Sequence, residues 1–279
     1  METVFRLVRR SIMTRESHFH AEVLRGRQDT APIDPFLGVD HARISAPTFP
    51  PHPHAGFSAV SYVFPDSPTG ILNRDSLGTR NLIEPGGLHW TTAGRGIIHE
   101  EVPAEPGKTC NMLQIFVNLA TLDQQMHPFT LSVRPQSVPV ACLAGARVRI
   151  PLGRLGGSAS PMSPPTDVSL FDITLDAGAQ LTLPILAGNS AFLLPILGVT
   201  EIAGMAFEQG AIDIPVFVAH PFEREISLSA PLGPARVVMF SGKPLHQEVY
   251  WHGSIAMAST QMRDAAVIAF ERGEFGTLY

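Results

Sequence analysis

Short apolar runs, each closed by glycine, proline, asparagine or aspartate, recur along most of this 279-residue chain and limit what it can fold into. "SAVSYVF" (58–64), "ILNRDS" (71–76), "NLIEPGG" (81–87), "GIIHEEV" (96–102) and "NMLQIFVNL" (111–119) follow one another with only turn residues between them. The last run alternates, with Met112, Gln114, Phe116 and Asn118 on one side and Leu113, Ile115, Val117 and Leu119 on the other. Runs of this length suit strands, and their regular spacing predicts an all-β sandwich or barrel. Twenty-four glycines and 25 prolines are spread between the runs rather than pooled, as tight turns require.

Regularity lapses near residues 120–135, which predicts a boundary between domains 1–130 and 131–279. A second β-rich series then begins, including "VSLFDITLDAGAQLTLPI", "SAFLLPILGVTEIAG", "AIDIPVFVA", "EISLSA" and "ARVVMFSG". Two barrels of similar plan account for both series. "GGSASPMSPPTD" (156–167) reads as a surface loop. The tail differs: in "STQMRDAAVIAFERGEFG", Met262, Ala266, Ala269 and Phe270 share one helical face. Ser259 or Thr260 can cap the start of this helix and Gly273 its end. A short C-terminal helix packed on a barrel is expected.

Bulk properties exclude several classes. Net charge is −5 with no basic run, which leaves little for counterion release and argues against direct nucleic-acid binding. No stretch approaches the ~20 apolar residues of a membrane span. The N-terminal residues lack the apolar core of a signal peptide. Two cysteines, Cys110 and Cys142, do not form a disulfide framework, so reduced thiols and a cytoplasmic location are expected. Nothing fixes the oligomeric state, and a monomer is the default.

The histidines carry the chemistry. In "FPPHPHAGF", His52 and His54 stand two residues apart, with Pro51 and Pro53 favouring an extended backbone, so both imidazoles leave on one face. "GIIHEEV" repeats that spacing with His99 and Glu101, while Glu100 points to the other face. If the two strands oppose each other inside a barrel, three imidazoles and a carboxylate meet. Such a mixed donor set suits one divalent ion, iron(II) first, with manganese, nickel, cobalt, copper and zinc as alternatives. A closed structural zinc site would favour cysteine. His18 and His20 share the spacing but have no matching pair, which predicts a solvated role. His89 and Trp90, just ahead of the second pair, and Arg95 between Gly94 and Gly96 are candidate pocket residues, although a surface ion pair is the simpler role for Arg95. No histidine occurs from 143 to 219, so a second barrel cannot repeat the site.

"PFLGVDHARI", "FPPHPHAGFSAVSYVF", "RDSLG", "EPGGLHWTTAGRGIIHEEVP" and "LQIFVNL" closely resemble the pirin family, a branch of the cupin superfamily. "SGKP", "WHGSIAM" and "FERGEFG" extend the likeness from about residue 34 to the C-terminus. The resemblance implies two tandem cupin-type (double-stranded β-helix, or jelly-roll) barrels with a single metal in the first. The family's ligands fall on His52, His54, His99 and Glu101, and iron is the usual metal. Some pirins cleave the flavonol quercetin with dioxygen; others are redox-sensitive transcriptional co-regulators or bind metabolic enzymes. The resemblance therefore implies either a quercetinase-like dioxygenase acting on a flavonol-like small molecule, with Glu101 as ligand and candidate general base, or a non-catalytic metal-sensing regulator with a protein partner. This chain departs from many relatives at Ala55, often Arg, and at Ser58, often Glu. Both departures are expected at the pocket.

Overall fold

The computed structural model describes residues 5–26 and 32–278. The first half contributes β1 (Arg6–Arg9), β2 (Ser11–Arg15), β3 (Phe19–Arg25), β4 (Phe36–Ile44), β5 (His52–His54), β6 (Phe57–Val63), β7 (Ile71–Asp75), β8 (Arg80–Ile83), β9 (Leu88–Thr92), β10 (Ile97–Pro103), β11 (Cys110–Asn118) and β12 (Phe129–Val133). Every run named from residue 58 to 119 contains a strand. Strands β1 to β4 precede those runs: β1 and β2 are largely exposed, and the buried positions of β3 and β4 include Glu22, Asp40 and His41. Those polar groups find partners at depth: His41 meets Glu22 at 3.2 Å, and Arg10 donates to Glu22 at 3.0 Å.

Each half forms a seven-stranded sheet facing a four-stranded one. In the N-terminal barrel the orders are β12-β9-β6-β11-β4-β3-β2 and β5-β10-β7-β8. The second barrel repeats the plan with strands from Val140 to Gly242, and its four-stranded sheet joins 180–185, 224–229, 199–202 and 205–208. All pairings within these four sheets are antiparallel.

The two large sheets pack against each other. Val60, Tyr62, Trp90 and Leu113 from the first meet Phe192, Leu194, Val238 and Phe240 from the second in one buried cluster. This explains why β6 is buried at every position: one face lines its own barrel and the other lines the neighbour. A polar clamp crosses the seam. Asp172 receives Tyr62 Oη at 2.6 Å and both Nε and Nη2 of Arg236, and Arg236 Nη1 reaches back to Asp66 at 2.7 Å. The same guanidinium lies 4.5 Å above the Phe64 ring.

Sheet membership crosses the expected boundary at both ends of the chain. Strand β1 pairs with Asp213–Phe217 and belongs to the second barrel. The tail returns to the first: Tyr250–His252 pairs with Ile255–Met257, and Ala256 N donates to Ala55 O at 3.0 Å. Helix α1 (Thr260–Glu271) follows, with Ser259 Oγ accepting from Met262 N at 3.1 Å as its cap. Ala266 and Phe275 bury against Ala55, Ile255 and Met257. Phe270 of the expected face is only half covered, against Phe275 at 5.5 Å. Two glycines make room for this tail. A Cβ on Gly56, at φ +83°, would sit 1.8 Å from Ala256 O, and one on Gly96, at φ +146°, 2.2 Å from the Phe275 ring. Among the described residues, no helix is long and apolar enough to cross a membrane. Cys110 is buried and Cys142 exposed, and both are free.

Candidate metal centre

Strand β5 is three residues long, and its two prolines leave its outer residues extended on one face. It pairs antiparallel with β10, placing His54 opposite Ile97 and His52 opposite His99. Two residues along one strand and one directly across therefore present imidazoles to the same point. Ligand nitrogens of His52, His54 and His99 all lie within 4.8 Å of one another. No other such group of three or more donors occurs among the described residues. His18 and His20 join no cluster; they lie 3.6 Å from Glu16 and 4.0 Å from Glu22, respectively.

Backbone carbonyls fix two of the rings. His52 Nδ1 donates to Pro50 O at 2.9 Å and His54 Nδ1 to Ser254 O at 3.3 Å, leaving Nε2 of each as a lone pair facing inward. His54 Nε2 and His99 Nε2 are 2.9 Å apart. Two nitrogens bound at right angles to one cation through bonds of about 2.1 Å stand about 3 Å apart, so the pair already has the spacing of adjacent ligands. Burial pushes the His54 imidazole down to about 3, holds His99 well below the usual range and lowers His52. All three are thus neutral near pH 7, the form that binds metal. The residues present fit a single divalent transition-metal ion.

Glu101 follows His99 by two residues and shares its face, but the carboxylate does not join the histidine cluster. Instead Ser61 Oγ, from β6 across the barrel, donates to it, with 2.7 and 2.8 Å to its two oxygens. Burial pushes Glu101 up to about 7, despite that hydrogen bond. His89, directly opposite Ser61 in the β6–β9 register, also faces the interior. It holds Ser132 Oγ at 2.7 Å and Asn73 Nδ2 at 3.3 Å, and burial lowers it to about 4. Phe57 lies 5.1 Å from the His54 ring and Phe116 5.5 Å from Phe57, giving the site an aromatic wall.

Several expected pocket residues lie elsewhere. Trp90 sits in the seam between barrels and donates to Thr92 Oγ1 at 3.0 Å. Ser58 alternates with Val60 on that same face and is buried without a hydrogen-bond partner. Both faces of these strands are buried, so residues that alternate away from the barrel interior are buried in the seam instead. Arg95 is exposed in the turn between β9 and β10, and only its backbone is held, by Met126 O at 3.0 Å. Ala55 is buried beneath the tail rather than at a pocket mouth, because Ile255, Met257 and Phe275 cover it. Conversely, Ser61 and the Ser254 carbonyl were not singled out from the sequence. No pattern marks a serine as a carboxylate's partner across a barrel, and Ser254 lies 200 residues from His54.

Two stacked barrels with a histidine cluster in the first define a two-domain cupin. The pirin sequence profile matches residues 17–117, and that of the pirin C-terminal cupin domain matches 170–276. The chain belongs to the pirin family. It is 30% identical to human pirin over 254 residues, covering 90% of this chain and 86% of that one. It is equally 30% identical, over 252 residues and 86% of each chain, to a Pseudomonas aeruginosa protein provisionally named quercetin 2,3-dioxygenase. Among solved structures, a quercetin 2,3-dioxygenase from Acinetobacter baumannii superposes with a TM-score of 0.85 at 21% identity, covering 98% and 99% of the two chains. A bacterial pirin from Escherichia coli in complex with nickel(II) gives 0.67 at 17% identity, covering 86% and 100%.

Proposed function

We propose that this protein is a metal-dependent oxidoreductase of the quercetinase kind, holding one Fe(II) ion and opening a flavonol-like small molecule with dioxygen. The convergence of three neutral imidazoles beside a buried carboxylate carries this reading. His52, His54 and His99 would hold the cation, with Glu101 as a fourth ligand if its carboxylate turns toward them while still accepting from Ser61. The cation supplies Lewis acidity toward the substrate's oxygens and a redox partner for dioxygen.

The chain's own residues supply the rest. Glu101 accepts the proton of the substrate hydroxyl; a carboxylate raised to about 7 is well matched to that task near neutral pH. Ser61 orients the carboxylate for it. Phe57 and Phe116 offer flat apolar surface to a planar ring and keep water from the reacting face. The relative and the solved structure named as quercetin dioxygenases support the choice of substrate class.

Oxygen uptake with quercetin by Fe(II)-loaded protein, compared with His54→Ala, tests the reading. Uptake that requires iron and disappears in the variant is expected. A metal-loaded protein that consumes no oxygen with any of a panel of flavonols would overturn the enzymatic reading and favour a metal-sensing role with a protein partner.

A further inference from the structure

An imidazole that binds a cation through Nε2 must carry its proton on Nδ1, and that proton needs an acceptor when buried. His52 and His54 meet this condition through Pro50 O and Ser254 O. His99 does not: its Nδ1 is buried with no hydrogen-bond partner. Directly opposite His99 in the β10–β7 register stands Asp75. The two residues are 3% and 4% exposed, so neither relies on solvent.

Asp75 has one oxygen explained and one not. Its Oδ1 accepts from Leu77 N at 2.9 Å and Thr79 N at 3.0 Å, closing the β7–β8 hairpin. Its Oδ2 is buried without a partner. Directly opposed residues on adjacent strands bring their Cβ atoms to about 4.5–5.5 Å, within reach of a hydrogen bond between their side chains. The competing imidazole, His89, lies close enough for the Asp75 charge to act on it, but both its nitrogens are engaged, by Ser132 and Asn73.

We infer that Asp75 is the positioning residue of His99: Oδ2 receives the Nδ1 proton of the metal-bound imidazole and leaves Nε2 for the cation. This rests on reading the three histidines as the metal site. The proton count is simple. His54 keeps its proton on Nδ1 toward Ser254, so in metal-free protein the 2.9 Å contact between the two Nε2 atoms requires His99 to donate from Nε2. His99 Nδ1 and Asp75 Oδ2 are then both acceptors, and in the metal-free protein the two side chains stand apart, joined by neither a hydrogen bond nor an ion pair. When a cation takes both Nε2 lone pairs, the same proton moves to Nδ1 and the opposed Asp75 side chain turns to meet it, with no proton gained or lost by the pair.

Asp75→Asn separates the two roles. The amide oxygen can still accept from Leu77 and Thr79, while the amide nitrogen replaces Oδ2 and donates where an acceptor is needed. Zn(II) affinity, measured by competition with a chelator, should fall roughly tenfold to a hundredfold, with the fold unchanged by circular dichroism. Long-range 1H–15N spectra of the wild type should show His99 protonated on Nε2 without metal and on Nδ1 with Zn(II), the Nδ1 proton exchanging slowly. Wild-type Zn(II) affinity in the folded variant, or a zinc-loaded His99 without a protected Nδ1 proton, would overturn the inference while leaving the metal site standing. Wild-type protein that binds no Zn(II) would overturn both. If the variant fails to fold, the wild-type spectra decide alone.

Discussion

The two barrels share one plan and differ in what they enclose. The C-terminal interior is filled by apolar side chains such as Val148, Ile173, Leu183, Leu193, Phe217, Ile226 and Leu228. The N-terminal interior divides its apolar residues between smaller clusters and gives the space between to His54, His99, His89, Glu101, Asn73 and Ser61. The same sheet plan therefore accommodates an apolar interior as well as one lined with polar groups. In the N-terminal barrel buried imidazoles and a raised carboxylate take the place of apolar contacts, and the neighbouring barrel and the tail pack against it from outside. The clamp through Asp172 and the tail on Ala55 both brace the N-terminal barrel from outside.

The sharpest way to break this contrast is to remove one ligand. His54→Ala should lower bound metal from about one ion per chain to background by elemental analysis, while His220→Ala in the second barrel leaves it unchanged. Equal loss in both would mean that metal is not confined to the first barrel. Next in size is the seam. Arg236→Leu strands the buried Asp172 carboxylate and should cost about 3–5 kcal/mol in urea unfolding. If the barrels are braced as described, the N-terminal one then melts first, as hydrogen exchange would show.

A smaller effect concerns Glu101 in chelator-treated protein. Its folded value of about 7 lies above the ordinary 4.5, so the native state holds the extra proton between those values. Its contribution is favourable below about 4.5 and is lost as pH rises through 7, by about 3 kcal/mol at most. Glu101→Gln should therefore gain stability relative to wild type as pH rises from 5 to 8, and an unchanged difference would show that the carboxylate is solvated. Smallest is the cap of the tail: Ser259→Ala should cost about 1 kcal/mol, read as earlier loss of helical signal on heating.

The clustering of three histidines was legible because strand geometry converts two-residue spacing into a shared face, and a barrel gives that face somewhere to point. The helix was legible from its period and its cap. Ser58 and Trp90 show where such reading stops. Alternation sorts residues into two sets, but it cannot say which set faces the barrel interior when a second barrel buries the other. The exchange of β1 and the tail left no local signal, since strand pairing across some 200 residues is written in complementary edges rather than in either segment.

The sequence by itself determined the strand-rich class, the two-part organisation, the three imidazoles and the histidine-free stretch from 143 to 219, all consequences of spacing and residue type. Only the tertiary structure decided that Glu101 rests on Ser61 and that Ser254 holds His54. It likewise decided that Ala55 lies under the tail and that Asp75 stands opposite His99. Those facts depend on which distant strands become neighbours, and that is settled by packing over the whole molecule rather than by any local run.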